Sequence, residues 1–99
     1  MPKIDSLPDG DQLEFFFNSS DHAPPHFHVI HSGGEWEIRV FLLTSTAAST
    51  GLDYEFKFPS SRSAESGPLP KKFRKIIAKK MAGKMEEILK EWKNKVLTS

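Results

Sequence analysis

The 99-residue chain contains no cysteine. It can therefore form neither a disulfide framework nor a thiolate metal site, and its composition fits a reducing compartment. It also has no run close to the ~20 apolar residues that a membrane span requires, and its first residues lack the basic and apolar regions of a signal peptide. A soluble, cytoplasmic protein with no membrane partner is expected. Hydrophobic residues are scarce at 37%, yet eight phenylalanines and two tryptophans concentrate the material available for burial. One domain with a single thin, largely aromatic core follows.

What the chain does contain is unevenly distributed. A formal net charge of +1 conceals residues 1–70, with 4 basic and 10 acidic groups (net −6), and residues 71–99, with 10 basic and 3 acidic groups (net +7). The chain is thus an acidic stretch followed by a basic one. Histidine is more concentrated still, because His22, His26, His28 and His31 all fall within Asp21-His22-Ala23-Pro24-Pro25-His26-Phe27-His28-Val29-Ile30-His31.

Two consecutive prolines stiffen the approach to that segment, since each fixes its own φ and holds the residue before it extended. From His26 to His31 aromatic and β-branched residues alternate as in a strand, with Phe27 and Val29 on one face and His26 and His28 on the other. Three neighbouring runs alternate in the same way. Leu13, Phe15 and Phe17 oppose Glu14 and Phe16; Trp36, Ile38 and Val40 oppose Glu35, Glu37, Arg39 and Phe41; Tyr54, Phe56 and Phe58 oppose Glu55 and Lys57. An antiparallel sheet of three or four strands, covered on one side, accounts for all of them. His26 and His28 would then lie on its open face beside Glu14, Glu37, Arg39, Glu55 and Lys57. Ser32-Gly33-Gly34 reads as the turn that pairs His26–His31 with Glu35–Leu43. Asp53–Phe58 supplies the fourth strand, and residues 1–58 form the strand-rich part of the domain. Pro59 to Pro68 has the composition of a mobile surface loop, which places the loop at 59–69.

The period changes at Pro70. Phe73, Ile76, Ile77, Met81, Met85, Ile88, Leu89, Trp92 and Val96 recur at spacings of three and four, which predicts an amphipathic helical region over 70–97. One long helix kinked at Gly83 is the natural reading of this spacing; a break into two helices there is the alternative, because a single helix would run about 40 Å. Leu69 is the expected N-cap and Pro70 the first helical residue. The fold class is α+β, with the helical region covering the apolar face of the sheet. Lys71, Lys72, Arg74 and Lys75 crowd the helix's positive end, so anions should lie nearby, either the domain's own carboxylates or a partner's phosphates.

The motif Asp21-His22-x-Pro24-Pro25-His26-Phe27-His28-Val29 resembles the signature of a small prokaryotic family, domain of unknown function 4160. Weaker landmarks at Met1-Pro2-Lys3-Ile4, Gly10, Leu69-Pro70 and Glu87-Ile88-Leu89-Lys90-Glu91-Trp92 extend the resemblance along the chain. It implies no established activity; it points instead to a component of a toxin–antitoxin module.

Three chemistries fit the histidine stretch. Imidazoles hold or yield a proton near neutral pH, so His26 and His28, with Glu37 as a second base and Arg39 to stabilise a phosphorane, would suit metal-independent RNA cleavage. Alternatively, His26 and His28, about 7 Å apart at Cα on an extended strand, could share a divalent metal with His22 or Asp21. No cofactor is required or favoured otherwise. Lastly, the rings could bond the backbone around the double-proline turn and set the register of the sheet, leaving His31 exposed. On the helix, Lys72, Lys75 and Lys79 are spaced to line one stripe that phosphates could bind, with His22 as a further contact. RNA or a cognate protein is the expected partner. Trp92 and the methionines at 81 and 85 read as core or as an oligomer contact, the latter implying a homodimer.

Overall fold

Glycine at the tip of the central hairpin sets the topology. In the computed structural model, which describes residues 3–18, 20, 22–46, 51–59 and 69–97, Gly34 takes a φ of 73°. It folds β2 (His26–His31) back onto β3 (Glu37–Phe41), with the amide of His31 donating to the Trp36 carbonyl at 3.1 Å. β1 (Leu13–Phe16) and β4 (Tyr54–Phe58) complete an antiparallel meander in the order β1-β2-β3-β4. Registry places Phe15 opposite Val29, Phe27 opposite Val40 and Val29 opposite Ile38, so the apolar rows align across the sheet.

The helical region is two helices, α1 (Lys71–Met81) and α2 (Met85–Trp92), followed by a wider π-type turn over Lys93–Leu97. Gly83 separates them with a φ of 74°. A single helix across this region would run about 40 Å, longer than the 36 Å maximum extent of the domain. The break lets Ile77 and Met81 of α1 and Ile88 and Trp92 of α2 share one core with Phe15, Phe17, Phe27, Val29, Ile38 and Val40. Burying each such side chain contributes about 1.5–3 kcal/mol. No helix among the described residues is long and apolar enough to cross a membrane.

Two local expectations are corrected. Pro70, not Leu69, is the N-cap: its carbonyl accepts from the amides of Phe73 and Arg74 at 3.0 and 3.2 Å, while Leu69 is drawn fully into the core. Phe58 does not join Tyr54 and Phe56 on the apolar side. An irregularity between Glu37 and Ile38 pairs Glu37 with Phe58 and Ile38 with Phe56, and the slip leaves Phe58 56% exposed. The expected mobile loop falls almost entirely on residues 60–68, outside the described residues.

The polypeptide before β1 is tied to the far end of the chain. The Glu91 carboxylate accepts from the amides of Asp5 and Ser6, both at 2.8 Å, and from the Ser6 hydroxyl and Lys95. Burial raises its pKa, but those donors outweigh burial and hold it below the ordinary glutamate value.

Candidate functional site

Alternation along β2 puts both histidines on the face away from the helices. His28 stands in register between Phe16 on β1 and Arg39 on β3, and Arg39 in turn faces Glu55 on β4. His26 is opposite Phe41. The four residues proposed for catalysis therefore share one face, and three of them converge: the imidazoles of His26 and His28 lie 5.2 Å apart between centroids, and Glu37 Oε2 is 3.3 Å from His28 Nδ1. Arg39 is turned aside, its guanidinium donating to Glu55 at 2.7 Å.

The face is not open at these rings. His28 is 1% exposed and His26 is 6% exposed. Phe16 stacks on His28 with the ring planes 10° apart, and Phe41 leans over His26 at 5.7 Å. Phe16 and Phe41 occur at positions where alternation otherwise places charge, and water would solvate their rings poorly. Folding them over the amphipathic imidazoles removes apolar area from solvent. Two clefts flank the cluster, one of about 230 Å³ lined by Pro24, Phe41, Leu43, Thr44 and Asp53, the other of about 140 Å³ lined by Lys3, Glu14, Phe16 and Ile30. Neither is lined by an imidazole.

Hydrogen bonding shows what the buried rings do. His26 Nδ1 lies 2.8 Å from the Pro24 carbonyl, an acceptor only, so this nitrogen carries the proton and clamps the proline turn to the strand. His28 bridges β2 to Glu37 of β3, and Glu37 also meets Lys57 of β4 at 3.3 Å. His22 is exposed, whereas Asp21 lies outside the described residues. Among the described residues no group of three or more histidines and carboxylates could hold a metal ion. His31 is half-buried, not merely exposed: its ring meets Trp36 at 5.6 Å and Phe73 of α1 at 5.3 Å.

The basic helix behaves differently. Lys71, Lys72, Lys75 and Lys79 are exposed, and among the described residues none forms an ion pair. The domain's own carboxylates engage Lys80, through Asp11 at 3.3 Å, and Lys95, through Asp5 and Glu91. Lys72 Nζ is 5.3 Å from the centroid of the Phe73 ring. Lys72, Lys75 and Lys79 thus lie along one exposed side of α1.

A family model described as a domain of unknown function (DUF4160) matches residues 13–93, from the first strand to the end of the second helix. The chain belongs to that family. The match takes in the double-proline histidine motif and both helices, so the buried imidazole pair and the lysine stripe lie within the DUF4160 domain. No curated protein and no solved structure matches the chain.

Two features escaped sequence reasoning. Glu91 caps backbone amides 85 and 86 residues away, a separation that leaves no local signal. Asp11 pairs with Lys80 across 69 positions, again with no local signal.

Proposed function

We propose that this domain is a cytoplasmic RNA-binding component of a toxin–antitoxin-type module. The exposed lysine stripe of α1 contacts the phosphate backbone, and the histidine cluster serves as scaffold, not as a catalytic centre. The observation that carries the reading is that Lys72, Lys75 and Lys79 share one exposed helical stripe without a carboxylate partner among the described residues. Ammonium groups left uncompensated by their own fold attract a polyanion, and each phosphate they neutralise releases condensed counterions. Cleavage at His26 and His28 fits less well. Two buried rings beneath Phe16 and Phe41 cannot reach a 2′-hydroxyl and a leaving oxygen together in this conformation.

Fluorescence anisotropy with a labelled single-stranded RNA tests the reading. The wild-type domain should bind at low salt, with log affinity falling by about 0.7 per phosphate contacted for each unit of log salt. The triple variant Lys72→Ala/Lys75→Ala/Lys79→Ala should lose most of that affinity. Equal affinity in both proteins, or none in either, would overturn the assignment. The labelled RNA should remain intact; cleavage that disappears in a folded His26→Ala/His28→Ala variant would establish the enzymatic reading instead.

A further inference from the structure

Beside the lysine stripe lies a groove walled on one side by α1 and on the other by the turn before β1. That turn is tight, with mutual backbone hydrogen bonds between Gly10 and Leu13 at 3.0 and 2.9 Å. Its central residues, Asp11 and Gln12, have φ values of 55° and 66°. Glycine and asparagine ordinarily occupy such positions, because a Cβ crowds the backbone in the left-handed region. A backbone tie holds the turn to the central hairpin, the Gln12 carbonyl accepting from the Ser32 amide at 2.8 Å; the Asp11 side chain projects from it to meet Lys80 at 3.3 Å.

The groove consists of two adjoining depressions that share Asp11 and Ile76. One, of about 310 Å³, is completed by Gln12 and Lys72; the other, of about 390 Å³, by Lys79 and Lys80. Its charged wall therefore presents Lys72, Lys79 and Lys80 beside the aliphatic side chain of Ile76. A single carboxylate intrudes. Asp11 is largely exposed, whereas Lys80 is half-buried, its ammonium 5.8 Å from the Phe15 ring centroid. The ammonium is the more buried member of the pair and the carboxylate the more exposed one, the one a competing anion can reach from solvent.

We propose that this groove is the seat of an RNA phosphate and that Asp11 is an internal competitor, occupying Lys80 until a phosphate displaces it. The inference rests on the RNA-binding reading above and adds to it a residue that sets affinity. Asp11 holds the anion's place in the free domain and lowers affinity for any ligand that must evict it. Removing its charge leaves Lys80 open to phosphate.

The test uses the full chain, a fluorescein-labelled single-stranded uridine oligonucleotide and four proteins: wild type, Asp11→Asn, Lys80→Met and the double variant. Asparagine tolerates the left-handed backbone, so Asp11→Asn removes charge while keeping the turn; Asp11→Gly serves if the amide disturbs the fold. Binding should tighten roughly three- to tenfold at low salt in Asp11→Asn, with a steeper salt dependence. That gain should vanish in the double variant, and Lys80→Met alone should bind more weakly than wild type. If RNA binds and the α1 stripe variant abolishes binding, but Asp11→Asn and Lys80→Met leave affinity unchanged, the groove proposal fails and the function stands. If no protein binds RNA, both fail.

Discussion

The two faces of the sheet exclude water to different extents and by different means. One is covered by α1 and α2, which deliver Ile77, Met81, Ile88 and Trp92 onto the phenylalanine-rich rows. The other is closed at its centre by rings of its own strands, Phe16 over His28 and Phe41 over His26. The first solution is apolar throughout, whereas the second traps polar atoms that then need partners, found at Pro24 and Glu37. The difference shows why the residues richest in chemistry are the least accessible. Imidazole serves here as a flat side chain that packs like an aromatic ring and still bonds a carbonyl or a carboxylate. The lysines at positions 71, 72, 75 and 79 of α1, by contrast, are exposed.

This comparison can be broken at several points. The largest effect should come from the helix-covered face: Phe27→Ala removes a fully buried ring and should cost about 3–5 kcal/mol in urea denaturation. On the opposite face His28→Ala should cost less, about 2 kcal/mol, because Glu37 keeps Lys57 as a partner. RNA affinity measured where that variant is folded should be unchanged. A loss of binding by folded His28→Ala would show that the imidazole face is a contact surface after all. Glu91→Gln should lower stability by about 1–2 kcal/mol near neutral pH. The Glu91 pKa is depressed on folding, so its contribution is present above the unfolded value and is lost as pH falls through the folded one. The acid side of the stability profile should accordingly flatten in Glu91→Gln, as read by thermal melts across that range. Smallest of all, Lys72→Ala/Lys75→Ala/Lys79→Ala should change stability by under about 0.5 kcal/mol per site, since these exposed side chains hold no ion pair among the described residues.

Period-two alternation was enough to place a sheet of three or four strands, the central hairpin and the side to which His26 and His28 point, because side chains on an extended chain cannot do otherwise. It could not say whether that side was wet. Coverage depended on where Phe16 and Phe41 lay relative to His28 and His26, which is a matter of interstrand register. The same limit applies to Phe58, where a local slip between Glu37 and Ile38 changed the outcome of a correct pattern. In the helical region the spacing of apolar residues remained in phase across Gly83, so one kinked helix was the natural reading and a break the alternative. The chain breaks at Gly83, as a domain only 36 Å in its longest extent requires. The lysine stripe was readable because helical phase alone sets exposure there. The Asp11 and Glu91 contacts were not, since each joins residues brought together only by the finished fold.

The carboxylate that gathers the amides at positions 5 and 6 closes a loop of 85 and 86 residues, whereas each strand of the meander pairs with its neighbour in sequence. Loop entropy must be spent before such a distant contact rewards it, so the meander should assemble before this tie closes. In refolding, the amides at positions 5 and 6 should therefore gain protection from hydrogen exchange later than those of the strands.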